Sequence, residues 1–265
     1  MEKIPKALTI AGSDSGAGAG IQADLKTFSA LGVHGSSVIT AITAQNTKEV
    51  TAVHNVPLDI IEKQIDAVLS DIGADAVKIG MLSNSEIIMT ISKKLKNYNV
   101  KNIVLDPVMV SASGAKLLED SAIEALKKEL IPLALIITPN IPEAEVLVNF
   151  KIKTLEDVKN AAKEILKLGC KTVLIKGGHL NISNNEVIDI FYDGHNFVEI
   201  KNKKIDKNGH GTGCTLSSAI AANIAKGMEL KEAVKNAISY VHNALDKGFK
   251  VGEMNYVLDH FWKKN

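Results

Sequence analysis

Residues 7–28 read ALTIAGSDSGAGAGIQADLKTF, an apolar run, a glycine-rich turn and an amphipathic helix in direct succession. A strand that feeds a glycine turn and then a helix opens a βαβ unit, and many phosphate-binding loops begin at such a turn. Gly18, Gly20 and Ala23 also meet the GxGxxG/A spacing of dinucleotide-binding folds. Those folds need an acidic residue at the end of the second strand to hold the adenosine ribose. Here that strand, SSVITAITAQN, ends in Gln45 and Asn46. The Walker A pattern is missing as well. The opening turn therefore belongs to an α/β fold, but neither to a dehydrogenase nor to a P-loop nucleotidase.

At 265 residues, with 46% hydrophobic and 23% charged residues, the chain can build a large globular core. No linker, internal repeat or low-complexity tract interrupts it, so a single domain over residues 1–265 is expected. The 31 basic and 30 acidic residues give a net charge of +1, and aromatic residues are only 4%. Neither a basic footprint nor stacking platforms for nucleic acid are present, and nothing favours a membrane surface. No apolar run reaches the roughly 18 residues of a membrane span, and the start lacks a signal-like apolar core, so a cytoplasmic protein is expected. Cys170 and Cys214 lie in no CxxC or metal spacing and read as free thiols.

Apolar runs alternate with helical patterns along most of the chain, which predicts a central, mainly parallel sheet. Strands are predicted at 7–11, 37–44, 76–79, 102–105, 133–138 and 172–175. Helices are predicted at 21–31, 59–71, 85–96, 120–129, 155–168, 212–225 and 230–247. An extra strand at 49–57 and a hairpin over 186–200, turning at Asp193 and Gly194, break the alternation.

In the first helix Ile21, Leu25, Phe28 and Leu31 share one stripe at about 100° per residue, and Asp24 falls inside it. A carboxylate there needs a partner. It either bonds backbone amides of the glycine loop or is offered to a ligand lying in that loop. A second glycine turn, NGHGTGCTLSSAIAANIAKG at 208–227, runs straight into a helix of small residues. Gly211, Thr212 and Gly213 would present consecutive amides as an oxyanion nest. Cys214 stands in the first helical turn, where the helix N-terminus lowers a thiol pKa, with His210 nearby. Asp106, Asn140, Glu143 and Lys176 all follow predicted strands, where ligands bind in open α/β sheets. Carboxylates that hold Mg²⁺ through waters, a lysine for nucleotide phosphates and an amide nest together describe phosphoryl transfer without a P-loop.

These motifs, with AGSDSGAGAGIQADLKTFSALGVHGSSVITAITAQNT, KIGML, DPVMVSASG, LIITPNIPEAEVL, IKGGH and HGTGCTLSSAIAA in that order, closely resemble the hydroxymethylpyrimidine/phosphomethylpyrimidine kinases of the ribokinase-like superfamily. The resemblance covers nearly the whole chain. It implies a three-layer α/β/α fold, ATP and Mg²⁺ as cofactors, an aminopyrimidine substrate in thiamin biosynthesis and a homodimer. It further implies that Gly12, Asp24, Gln45, Met81, Val108 and His210 bind the pyrimidine. Lys176 and Asn140 would contact the ATP phosphates, Asp106 and Glu143 the metal, and Gly211, Thr212, Gly213 and Cys214 the anion hole. Lys176 and Cys214 would be catalytic, Cys214 as base or as contact. The rival within the same branch is a pyridoxal kinase; a non-catalytic binding module is the other class weighed. The chain departs from the usual KNTHGTGC of the family at Gly209, which removes a hydroxyl beside the anion hole.

Overall fold

The computed structural model describes residues 3–110, 114, 117–179 and 185–263. The first βαβ unit is β1 (Lys6–Asp14), α1 (Gly20–Ala30) and β2 (His34–Gln45), followed by an edge strand, β3 (Val50–Asn55). Next come α2 (Leu58–Ala67), β4 (Ala76–Ile79), α3 (Ser85–Asn97), β5 (Ile103–Leu105), α4 (Asp120–Ala125) and β6 (Ile136–Ile137). The chain continues through α5 (Ile141–Val148), α6 (Leu155–Leu166), β7 (Val173–Ile175) and the hairpin β8 (Glu186–Tyr192) to β9 (Phe197–Lys203). It ends with β10 (Gly209–His210), α7 (Thr212–Ala225), α8 (Leu230–Asp246), β11 (Phe249–Lys250) and β12 (Tyr256–Val257).

Nine strands form one sheet in the order β3-β2-β1-β4-β5-β6-β7-β8-β9. The six strands from β2 to β7 in that order run parallel, while β3, β8 and β9 pair antiparallel at the two edges. Strand alternation divides the core into two layers. Leu8, Ile10, Val77, Ile79, Ile103, Leu105 and Ile137 face the layer of α2 to α6. Ala7, Ala76, Val104, Ile136 and Leu174 face α1, α7 and α8. Every residue of β4, β5, β6 and β7 is buried, as their continuous apolar runs require.

The connection direction reverses between β1 and β4, because β2 lies to one side of β1 and β4 to β7 lie to the other. Such a switch point leaves a crevice at the carboxyl ends of the strands. Both glycine turns open there.

Three features differ from the sequence expectation. The predicted helices at 59–71 and 120–129 each end in a π turn, at Val68–Ile72 and Leu126–Leu130. The predicted strand at 133–138 shrinks to Ile136–Ile137, because a 3-10 turn at Ile131–Leu133 occupies its start. Helix α5 and the small sheet β10-β12-β11 were not predicted. Of the DPVMVSASG motif, residues 111–113 lie outside the described residues.

Candidate active site

The two glycine turns interlock. Gly211 caps α7 with φ of 85°, and a Cβ placed there would overlap the Gly18 carbonyl oxygen. A Cβ on Gly18 would in turn run into the His210 ring. Glycine is thus required at both positions for the loops to touch. Asp14 locks the junction: its carboxylate accepts from the amides of Gly16 (2.8 Å), Gly18 (3.1 Å) and Ala19 (2.8 Å), and from His210 Nε2 at 3.0 Å. Burial opposes ionisation of Asp14, but His210 and the loop amides outweigh it and hold the carboxyl below its ordinary range.

A cavity of about 470 Å³ lies beneath this junction. At one end it is walled by Gly12, Gln45, Met81, Val108 and His210. The Gln45 amide nitrogen stands 3.1 Å from His210 Nε2. A Cβ on Gly12 would come within 2.9 Å of Met81 Sδ, so the bare backbone makes room for a flat wall.

The other end is polar. Asn140 and Glu143 form a reciprocal capping box at the start of α5, with Glu143 Oε2 accepting from Asn140 N and Asn140 Oδ1 from Glu143 N, both at 2.8 Å. Lys176 Nζ lies 2.9 Å from Asp106 Oδ1 and 3.8 Å from Glu143 Oε2. Burial lowers the Lys176 ammonium, but Asp106 and Glu143 reverse that and raise it above its usual value. Burial pushes the Glu143 carboxyl up to about 7; Lys176 works against the shift and Asp106 adds to it. Facing Lys176 is the first turn of α7: Thr212, Gly213 and Cys214 line the same cavity, and a Cβ on Gly213 would sit 3.2 Å from Lys176 Nζ. A cation, two carboxylates and a helix N-terminus therefore converge on one space.

Asp24 is not brought to this wall. It is fully buried beneath it, and its carboxylate is saturated by Lys78 Nζ (2.9 and 2.8 Å), Thr9 Oγ1 (2.6 Å) and Ser218 Oγ (2.7 Å). Thr9 and Lys78 share the strand face turned toward α1 and α7, so the stripe that carries Asp24 meets a buried lysine. The amides of the glycine loop go to Asp14 instead.

Cys214 departs from its expectation too. Burial pushes its thiol up to about 11; Lys78 lowers it, while the Asp24 and Asp106 carboxylates raise it, so the helix N-terminus does not prevail. Cys170, buried behind α6, is pushed up to about 12. Alkylation of either cysteine by iodoacetamide is accordingly expected to be slow at pH 7 and to quicken about tenfold per pH unit as the thiolate fraction grows, Cys170 lagging behind Cys214. Fast labelling of the Cys214 peptide at neutral pH, read by mass spectrometry, contradicts this.

Three residues escaped the sequence reading. Asp14 and Lys78 both line the cavity. An aspartate inside a glycine turn is a local signal for amide capture, and a lysine inside the apolar run AVKI signals a buried partner. Asp189 on β8 accepts from Gly177 N at 2.8 Å and holds the turn that follows Lys176. Its carboxyl is pushed up to about 6 by burial, against Gly177 N–H and Lys176. Nothing local in the sequence links positions 177 and 189.

The fold and the cavity define a ribokinase-like phosphotransferase. The family described as phosphomethylpyrimidine kinase matches residues 14–259. A hydroxymethylpyrimidine/phosphomethylpyrimidine kinase of Rhizobium meliloti is 50% identical over 264 residues, covering 97% of this chain and 98% of that protein. The protein of that name in Bacillus subtilis is 45% identical, covering 99% and 97%. The chain belongs to the phosphomethylpyrimidine kinase family. Among solved structures, an ADP complex of Bacillus subtilis pyridoxal kinase superposes with a TM-score of 0.92 at 39% identity, covering 99% of both chains. The phosphomethylpyrimidine kinase of Clostridium difficile gives 0.81 at 54% identity, covering 91% of this chain and 99% of that one.

Proposed function

We propose that the chain, acting as one domain over residues 1–265, transfers the γ-phosphoryl of ATP to 4-amino-5-hydroxymethyl-2-methylpyrimidine, and then to its monophosphate, in thiamin biosynthesis. The observation that carries this reading is Lys176 held between Asp106 and Glu143 opposite the α7 N-terminus, in the same cavity as the Gln45 and His210 wall. The pyrimidine lies against Gly12, Met81 and Val108, and Gln45 offers an amide that both donates to and accepts from an aminopyrimidine edge. Lys176 and Asn140 meet the ATP phosphates. The amides of Gly211, Thr212 and Gly213 receive the charge that develops on the transferring group.

Asp106 and Glu143 fit a Mg²⁺ held largely through waters, where it screens the phosphoryl charge. Among the described residues no group of three or more His, Cys, Asp or Glu side chains forms a direct metal cage, and Glu143 already spends one oxygen on its cap. Cys214, with its raised pKa, meets the hydroxymethyl group as a thiol contact; general-base work by a resting thiolate is disfavoured. No helix among the described residues is long and apolar enough to cross a membrane, and a cytoplasmic site of action is part of this reading. A homodimer, which the family resemblance implies, is part of the same reading.

A coupled assay with the pyrimidine alcohol, its monophosphate and pyridoxal tests the proposal. The expected result is a higher kcat/KM on the pyrimidine alcohol than on pyridoxal. The reverse ranking makes the protein a pyridoxal kinase of the same branch. Wild-type turnover in both Lys176→Ala and Cys214→Ala removes the chemical centre from this cavity.

A further inference from the structure

The C-terminal segment is built across the back of the cavity, and its contacts have no role in the reaction described so far. Strand β12 pairs parallel with β10, Gly209 opposite Tyr256 and His210 opposite Val257, so the backbone that carries His210 into the cavity is hydrogen-bonded to the end of the chain. Tyr256 N donates to Asn208 O at 2.9 Å. One residue earlier, Asn255 is only 9% exposed and does not line the cavity. Its Oδ1 accepts from Asn208 Nδ2 at 2.7 Å, and its Nδ2 donates to the Thr47 carbonyl at 3.3 Å. Thr47 lies two residues beyond Gln45. Lys48 and Glu253 add an ion pair at 2.7 Å between the same two segments.

We propose that Asn255 is a positioning residue that fixes the Gln45 loop relative to the Asn208–His210 loop, and so sets the acceptor alcohol against the transferring phosphoryl. A single amide is used in both directions, accepting from the phosphate-side loop and donating to the substrate-side loop. On the cavity side the same two loops meet in one contact, Gln45 to His210. One contact between two side chains permits rotation. A second tie behind it removes that freedom, and near-attack geometry is sensitive to shifts of about 1 Å.

This inference rests on the phosphotransferase reading but not on the identity of the acceptor. The full chain carrying Asn255→Ala, Asn255→Asp or Asn255→Gln is assayed with ATP and Mg²⁺, counting phosphorylated acceptor per ADP formed. In the aspartate variant, kcat/KM for the acceptor is expected to fall roughly tenfold, the size of one lost hydrogen bond, and in the alanine variant, which loses both, further still, with KM for the acceptor raised in each. The ratio of transfer to ATP hydrolysis is expected to fall as well. Aspartate keeps the acceptor for Asn208 but loses the donor to Thr47; being isosteric, it carries the test if the alanine variant does not fold. Glutamine, which keeps both amide functions, is expected to recover part of the ratio. A merely structural asparagine would lower the active fraction and leave KM and the transfer ratio at wild-type values, and that result overturns the proposal. Failure of the wild-type chain on the pyrimidine is a failure of the substrate assignment alone, and the same ratio is then read with pyridoxal.

Discussion

Lys176→Ala is expected to lower kcat by about 10²- to 10³-fold, the range found when one preorganised charge or donor is removed from a transition-state site. Among the described residues, the lysine is the one cation set directly against both Asp106, at 2.9 Å, and Glu143, at 3.8 Å, and it faces the amides that begin α7. Its removal leaves two carboxylates at the point where, on the proposed reading, phosphoryl charge gathers. The pH profile should move with it. Glu143 stands at about 7 with Lys176 already pulling it down, so without the ammonium its carboxyl rises further. If ionised Glu143 is needed to hold the cation, activity in the wild type falls as the pH drops through about 7, and in the variant this acid limb shifts to higher pH. Steady-state rates from pH 5.5 to 9 in both proteins check it. An unchanged limb with a reduced plateau separates Lys176 from Glu143 and leaves the carboxylate outside the reaction.

The sequence and the structure agree most closely where one physical cause acts alone. Buried parallel strands need apolar residues on both faces, and the runs at 76–79, 102–105 and 172–175 announce them. The small-residue helix after HGTG lies close on the sheet because Ala219, Ala221 and Ala222 are wholly buried. Asn140 with Glu143 is a capping-box pattern as well as a ligand pattern, but the short length of α5, with Pro139 before it and Pro142 in its first turn, hides the helical period, so α5 was not legible. The β10-β12-β11 sheet was not legible, since strands of two residues carry no alternation. The site was legible as a set of strand-end residues, because the topology delivers every such position to one crevice. What sequence periodicity does not reveal is which polar group faces which. Asp24 and Asp14 both belong to the first βαβ unit, and only three-dimensional register sends one to a buried lysine and the other to the loop amides.

That exchange makes the second large effect one of stability. Lys78→Met should destabilise the fold by about 3–5 kcal/mol, the cost of leaving one member of a buried ion pair uncompensated. Both side chains are 0% exposed, so no solvent screens the remaining Asp24 charge. Burial alone would depress the Lys78 ammonium, but the adjoining Asp24 carboxylate, helped by Asp106, holds it well above the ordinary lysine range, so the lysine keeps its charge in the native state. For a chain of this size the loss corresponds to a drop of roughly 10 °C in Tm. The double variant Asp24→Leu, Lys78→Met should recover most of it, because an apolar pair of similar volume avoids the desolvation of two charges. Thr9 and Ser218 then keep hydroxyls without their acceptor, which sets the recovery below complete. The two measurements together decide what the pair does. If the double variant recovers most of the stability but loses activity, Lys78 is retained for its place on the cavity wall, where its charge faces Cys214 and Asp106. If stability and activity return together, the pair is scaffolding for the interlocked glycine loops, and the aspartate in GIQADLKTF belongs to the fold and not to the ligand.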